Sequence, residues 1–291
     1  MNDLIESAMP RSAVRTHHLP VTDDLQPMVT ALIGVEMGTT GPMPLAIAPH
    51  DAMVLTVQFA RQRAGVEAKS ALGSNTRITG IRRWTGSFTG AGDCVTLFAL
   101  LTRQGSVQLL NSRRLDRSPR IGAPLAELLD ASFTRALESR IALAGDLTDQ
   151  LQAFAAWLEE RIKARGQQDR AALRAGRAAM HLCAEPLTAM DRLADEQHVS
   201  RRQIERDFTR RLGVSPRHLS QVARVQGVAR HAHAGASLAA AAAEMGFADQ
   251  SHMNRVVRQL TGLTPREFVR AAPSQISAAF RNATGGGKVY L

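Results

Sequence analysis

The segment LGVSPR at Leu212–Arg217 decides the fold of the last third of the chain, because it returns as TGLTPR at Thr261–Arg266. The two copies stand 49 residues apart. In each copy a glycine is followed by a hydroxyl residue and a proline. That order is typical of one helix ending and a capped helix beginning. The repeat therefore indicates two copies of one supersecondary unit.

The residues that precede each copy keep the same order of apolar positions, whereas their polar positions mostly differ. The matching apolar pairs are Ala194 with Ala243, Ile204 with Met253, and Phe208 with Val257. A small residue on a short helix allows close helix approach, and a tight turn follows in which Gly246 could take a positive φ. Ser200 and Asp249 then stand at the expected N-cap of a second helix. This layout predicts two helix-turn-helix units.

The exposed side of each second helix carries side chains suited to base edges. The first copy offers Arg201, Arg202, Gln203, Glu205 and Arg206, and the second offers Gln250, Ser251, His252, Asn254 and Arg255. Arginine suits guanine, Gln and Asn suit adenine, and Glu can accept from cytosine. A solvated helix face is the alternative for any one of them. Taken with the repeat, the pattern favours base reading in the major groove.

The net charge agrees with a polyanionic partner. The formal charge of +10 is uneven, because residues 1–170 carry a net +2 and residues 171–291 carry +8. Arginine, which pairs bidentately with phosphate, makes up most of the excess. Arg217 and Arg266 follow the Ser-Pro and Thr-Pro turns, where they are candidates for phosphate contacts or for structural roles.

These motifs resemble the AraC/XylS family of transcriptional regulators over about residues 185–270. The segments that carry the resemblance are Leu193–Phe208, Gly213–Arg217, Ala243–Arg255 and Gly262–Phe268. The resemblance implies seven helices, two reading helices in successive major grooves, and a linker helix at about Pro216–Ala232 that includes Arg224. By position it places base readers at Arg202, Glu205, Arg206, Gln250, Ser251, His252, Asn254 and Arg255.

The chain departs from the family pattern in its second unit. Met253 and Val257 stand where the family often has Phe, and both remain apolar. The segment Leu238–Ala243 has five alanines after its leucine. Such a helix buries little apolar area, so we expect the second unit to be the weaker one.

The sequence predicts an α+β fold with two domains. Apolar and alternating runs separated by Gly and Ser, among them 52–59, 76–84 and 94–101, predict a small β-barrel or sheet with flanking helices. Asp146 is expected to cap one of these helices. The predicted division is a flexible arm at 1–28, a sensor or dimerisation domain at 29–165, the all-α double helix-turn-helix domain at 170–271, and a tail at 272–291. The resemblance to the family's sensor domains is weak and transfers no ligand site.

Other kinds of site find little support in the sequence. No phosphate-binding glycine loop or acid–base pair is evident, so we expect no enzyme and no cofactor. The histidines and the two cysteines form no complete metal-ligand set, and Cys94 and Cys183 are expected to be packed thiols. The sequence contains no run of about 18 apolar residues, the length that a membrane span needs, and its N-terminus lacks the layout of a signal peptide. We therefore expect a cytoplasmic location.

The function predicted from the sequence is sequence-specific regulation of bacterial transcription, with an activator favoured over a repressor. The expected partners are double-stranded DNA, RNA polymerase, a small-molecule effector at the N-terminal domain, and a second copy of the chain in a homodimer. Two alternatives remain open at this point. One is a DNA repair or modifying enzyme with an appended helix-turn-helix module, and the other is a non-specific architectural DNA binder.

Overall fold

The computed structural model of the protein describes residues 13–38, 43–47, 52–60, 75–81, 86–90, 94–110, 122–164, 170–271 and 275–283. Its eight strands are β1 (Ala13–Leu19), β2 (Val29–Gly38), β3 (Met43–Ile47), β4 (Met53–Ala60), β5 (Asn75–Thr79), β6 (Gly86–Gly90), β7 (Cys94–Leu101) and β8 (Ala123–Pro124). Six of them form one sheet in the order β1-β2-β7-β4-β5-β8, and β3 pairs with β6. All the described pairings are antiparallel.

Strand β7 lies at the centre of the six-stranded sheet, between β2 and β4. All eight of its residues are buried. A strand covered on both faces needs apolar side chains at successive positions rather than in alternation, and CVTLFALL supplies them. The two faces of the sheet therefore belong to two different parts of the core.

Helices from the N-terminal half cover the first face of the sheet. They are α1 (Arg103–Leu110), α2 (Leu125–Leu128), α3 (Ala131–Leu143) and α4 (Leu147–Lys163). Leu55, Leu97 and Leu32 of the sheet share one buried cluster with Phe154 and Trp157 of α4. The predicted cap is confirmed, because the Asp146 side chain accepts from the backbone N–H of Asp149 in a capping box.

The rest of the chain is helical. The helices are α5 (Arg170–Ala184), α6 (Met190–Glu196), α7 (Arg201–Leu212), α8 (Pro216–His233), α9 (Leu238–Glu244), α10 (Gln250–Thr261), α11 (Pro265–Arg270) and α12 (Gln275–Ala283). The linker helix predicted at Pro216–Ala232 is confirmed as α8, and the α+β fold class is confirmed as well.

Helix α5 connects the two halves of the chain through packing. It contacts α1 of the sheet domain on one side and α7 and α8 on the other. Its buried residues are small, among them Ala172, Ala175 and Ala179. Small side chains let helices approach closely, and the Cβ of an alanine at Gly176 would lie 3.8 Å from the carbonyl oxygen of Arg103 in α1. As a result one apolar cluster runs from the sheet through α5 into α7.

Two expectations about the chain need correction. The segment 1–28, predicted as a flexible arm, contains β1, whose seven residues pair with β2 and satisfy backbone groups that an isolated arm would leave to water. The tail at 272–291 contains the helix α12, which packs on β2 and β1. The predicted linker at residues 166–169 lies outside the described residues.

Replacement of Gly105 by Ala should destabilise the sheet domain. The added Cβ would lie 1.9 Å from the carbonyl oxygen of Met28, which is backbone that cannot move aside without shifting α1. Overpacking of this kind costs about 1–3 kcal/mol, and urea unfolding of the full chain measures it. Gly176→Ala is the matched control, because its Cβ makes an ordinary contact at 3.8 Å and should leave stability unchanged or raised. Equal behaviour of the two variants would contradict the packing described for α1.

Candidate nucleic-acid interface

The first helix-turn-helix unit consists of α6, a four-residue turn and α7. Ser200 caps α7, its hydroxyl accepting the backbone N–H of Gln203 at 3.2 Å. The turn takes its shape from His198, whose φ of 52° is in the left-handed region that non-glycine residues seldom adopt. Helix α7 ends at Gly213 with a φ of 73°. Both caps agree with the sequence prediction.

The second unit repeats this arrangement with α9 and α10. The Asp249 carboxylate accepts the backbone N–H of His252 at 2.6 Å, which confirms the predicted N-cap. Gly246 takes the positive φ expected of it, 65°, in the turn after α9. Gly262 closes α10 at a φ of 77°. Helices α7 and α10 therefore both begin with a side-chain N-cap and end at a glycine with positive φ.

One face of each reading helix is buried and the other is open. In α7 the residues Ile204, Phe208 and Leu212 are buried, and in α10 the buried set includes Met253 and Val257. The predicted DNA-contacting side chains that are exposed are Arg201, Arg202, Glu205, Arg206, Arg217, Gln250, Ser251, Asn254, Arg255 and Arg266. The residues predicted to meet DNA thus share the open face of their helix, apart from His252.

His252 is half-buried and is held by its own turn. Its Nδ1 accepts the backbone N–H of Ala248 at 3.4 Å, and its ring meets Phe247 edge to face at a centroid distance of 5.5 Å. This ring therefore supports the turn that leads into α10. Its Nε2 edge is the part of the side chain left for a base or a phosphate.

Two of the exposed arginines in α7 are paired along their own helix. Arg201 forms an ion pair with Glu205 at 3.2 Å, and the guanidinium of Arg206 donates to Oε1 of Gln203. Contacts at i,i+3 and i,i+4 hold the side chains over the helix surface. The first unit thus presents an ordered set of polar groups before any partner arrives.

A buried ion pair that sequence reasoning missed sits beneath this set. Arg174 of α5 donates to Oδ2 of Asp207 through Nε at 2.8 Å, and the two side chains are only 18% and 4% exposed. Oδ1 of Asp207 accepts from Nε2 of Gln203 at 2.7 Å. A signal for Asp207 was available, because it lies three residues after Ile204 on the apolar face of α7. No local signal pointed to Arg174.

Arg224 of the linker helix attaches α8 to the second unit. Its Nε donates to the carbonyl oxygen of Met245 at 2.7 Å, and its terminal nitrogen donates to that of Gly246 at 2.7 Å. Its guanidinium also lies 4.0 Å from the ring centroid of Phe247. Burial lowers the pKa of Arg224, although the group stays charged at neutral pH. Arg224 therefore satisfies carbonyls that the end of α9 would otherwise leave unpaired.

A family model described as a helix-turn-helix domain matches residues 193–271. The match spans both units and the linker helix between them. The chain carries a helix-turn-helix domain over these residues.

Solved structures similar to this chain include several of ToxT from Vibrio cholerae. The structure from strain O395 is 11% identical, covers 89% of this chain and 96% of its own, and has a TM-score of 0.38. A 1.65 Å structure in a P21 form is 11% identical, with 89% and 97% coverage and a TM-score of 0.41. A structure of wild-type ToxT with bound unsaturated fatty acid is 13% identical, with 89% and 95% coverage and a TM-score of 0.39. No curated protein sequence matches the chain.

Arg217 and Arg266 occupy equivalent places in the helix-turn-helix domain. Each is the second residue of its helix, after Pro216 in α8 and Pro265 in α11, and each is exposed. The start of α11 is reinforced by a capping box, in which hydrogen bonds from Thr264 lower the pKa of Glu267. In both helices the hydroxyl of the N-cap residue accepts a backbone N–H of the first turn, and the arginine lies exposed beside that cap.

Two further searches bear on other kinds of site. Within the described ranges, no helix has the length and apolarity needed to cross a membrane. In the same part of the chain, no group of three or more His, Cys, Asp or Glu side chains is placed to hold a metal ion.

Breaking the Arg174–Asp207 ion pair should lower the free energy of unfolding. Replacement of Asp207 by Ala leaves a half-enclosed guanidinium and an unpaired Gln203 amide, and loss of one partner of a buried pair costs about 3–5 kcal/mol. Urea unfolding of Asp207→Ala, Arg174→Ala and the double variant gives the coupling between the two. The exposed pair Arg201–Glu205 is the matched control, since its side chains are 58% and 49% exposed and Glu205→Ala should cost about 1 kcal/mol or less. A coupling no larger than that of the control would contradict a structural role for the buried pair.

Proposed function

We propose that the protein recognises a specific duplex sequence through α7 and α10 and regulates transcription in response to a small molecule at its N-terminal domain. In this proposal residues 170–271 form the DNA-binding unit. RNA polymerase is its protein partner at a promoter, the protein acts in the cytoplasm, and it performs no enzymatic step. One observation carries the proposal. Helices α7 and α10 begin and end with the same kinds of cap, but their exposed faces carry different side chains.

The two reading helices differ in the chemistry they offer. Helix α7 presents three arginines and one glutamate near its start, whereas α10 presents Gln250, Ser251, Asn254 and a single arginine over the same turns. Arginine favours guanine, while Gln and Asn favour adenine. A non-specific binder gains nothing from two unlike faces. The difference therefore supports an asymmetric recognition sequence.

The position of α5 supports a response to the N-terminal domain. This helix packs on α1 of the sheet domain and provides Arg174 to the Asp207–Gln203 pair under α7. A shift of α1 would therefore act on the helix that holds the first reading helix in place. The physical element shared by the two domains is α5 itself.

The alternative of an alkyl-transfer enzyme needs a reactive, accessible thiolate. Cys94 is 2% exposed in the central strand, and Gln58 donates to its Sγ at 3.6 Å. A thiol in that position is shielded from DNA. The burial of Cys94 therefore favours the regulator over that enzyme.

Selection of random duplex DNA by the purified full-length chain, at a stated salt concentration, tests the proposal. We expect enrichment of an asymmetric site whose two unlike segments lie about 10 base pairs apart, one helical turn, so that α7 and α10 read successive major grooves. Binding with no enrichment, in the presence or absence of candidate effectors, would reject sequence-specific recognition and favour an architectural role.

Replacement of Arg206 by Ala should weaken binding to the selected duplex by about 1–3 kcal/mol and relax the preference at one base pair. The reason is loss of a bidentate contact to guanine. Binding curves for the selected site and for each single-base variant measure both effects. Arg210→Ala is the control, because Arg210 is exposed in the last turn of α7, away from the capped start. An equal loss on every sequence would make Arg206 a phosphate contact instead.

A further inference from the structure

The second face of the six-stranded sheet is apolar and buried, but a different element covers it. Its buried cluster includes Ile33 and Val35 of β2, Phe98 and Leu100 of β7, and Val54 of β4. Four helices of the N-terminal half cover the first face. On the second face, the described helix that joins the cluster is α12, from the far end of the chain.

Among the α12 side chains that the structure describes, Phe280 makes the large apolar contact with this face. Phe280 is 3% exposed and meets Phe98 edge to face, with ring centroids 5.0 Å apart. Ala279 packs beside it, and Ser277 is buried. A helix of nine residues is marginal by itself in water, so the order of α12 depends on its contact with the sheet.

A polar group lies on the same face, in register with Phe98. Thr56 of β4 is paired with Phe98 on one side and with Arg77 of β5 on the other, so the three side chains form one row. Residues paired across antiparallel strands share a face, and strands are about 4.8 Å apart, which places Arg77 about 10 Å from Phe98. Its neighbour Thr76 points the opposite way and donates to Glu138 of α3.

The guanidinium of Arg77 is partly unsatisfied. Its terminal nitrogens donate to Oδ1 of Asn75 and to the carbonyl oxygen of Gly122, both at 3.0 Å. Its Nε is buried and has no hydrogen-bond partner among the residues that the structure describes. A buried donor without an acceptor is costly, and a charged donor favours an anionic acceptor.

We propose that this face is a binding site for a small molecule with an apolar body and one anionic group, and that α12 is its displaceable cover. The apolar body takes the place of Phe280 on Phe98, and the anionic group accepts from Arg77. The inference rests on the proposed effector response and names its site, the class of ligand and the segment that competes for it.

Displacement of α12 has a direct path to the DNA-binding domain. Only residues 271–274 separate α12 from α11, which packs on α8 and on the second reading helix α10. While α12 stays on the sheet, the second unit is tied to the N-terminal domain by this short connection. Release of α12 removes that tie and leaves the first unit attached through α5.

Fluorescence titration of the full-length chain with 8-anilinonaphthalene-1-sulfonate tests the site, because this probe has an aromatic body and one sulfonate. Phe280→Ala should bind the probe about fivefold tighter or more, since the competing side chain is gone. Arg77→Gln should bind it about tenfold more weakly, since a charge-assisted hydrogen bond is lost. Asn282→Ala, exposed on the same helix, and Arg140→Gln, an exposed arginine of α3, should both match the wild type.

Equal affinities for Phe280→Ala and Asn282→Ala, or an unchanged affinity for Arg77→Gln, would overturn the proposal. If circular dichroism shows that Phe280→Ala does not fold, limited proteolysis of the wild-type chain tests the proposal instead. Saturating probe should then speed trypsin cleavage after Arg281, which is half-buried in α12. An unchanged rate of cleavage would reject α12 as the cover.

Binding of the selected duplex separates this inference from the proposed function. Saturating probe should change the affinity of the wild-type chain for that duplex, and the duplex should change the affinity for the probe by the same factor. Phe280→Ala should lose this coupling. If the probe tests succeed but no duplex is enriched, the ligand site is supported and the proposed regulatory function is rejected. If a duplex is enriched but the probe does not compete with α12, the regulatory function is supported and the ligand site is rejected.

Discussion

The ion pair between Arg174 and Asp207 ties the first reading helix to the rest of the molecule. A carboxylate that is 4% exposed on the apolar side of α7 requires compensation, and Arg174 and Gln203 provide it together. Arg174 can reach it because α5 lies close to α7, and α5 lies close because five of its six buried residues are alanine or glycine. The same small face packs on α1. The orientation of the polar groups on α7 therefore depends on a helix that the sheet domain also holds.

The second unit is attached in another way. Its core is a separate cluster in which Phe247 and Phe268 are the only aromatic members and α9 contributes Ala241 and Ala242. Its link to α8 depends on Arg224, which joins the linker helix to the carbonyls at the end of α9. Regions with a small apolar core open at lower free energy than a shared core does. The unit with the alanine-rich helix is therefore still expected to be the less firmly held.

Sequence reasoning reached the features that local signals encode. The caps at Ser200 and Asp249, the positive φ of Gly246 and the start of α8 each follow from a residue type at a fixed offset within a repeated segment. The open faces of α7 and α10 followed from helical period alone. The features it missed join distant parts of the chain. Strand β1 forms because it pairs with the edge of β2, and α12 is held by the apolar face of the sheet, where Phe280 meets Phe98. Arg174 pairs with Asp207, 33 residues away. His252 shows the remaining gap, because only the structure reveals that its ring supports the turn before α10.

The two attachments give the molecule a way to treat its reading helices separately. A ligand shifts a conformational equilibrium only by its difference in affinity for the two states. A competitor for the site of α12 has such a difference built in, because it binds only when Phe280 has left Phe98. The buried contacts of α5 stay the same in both states, so α7 keeps its orientation while α10 gains freedom. Regulation of this kind would change the spacing or angle between α7 and α10 rather than the side chains that contact bases. The connection between α11 and α12 would then control DNA binding.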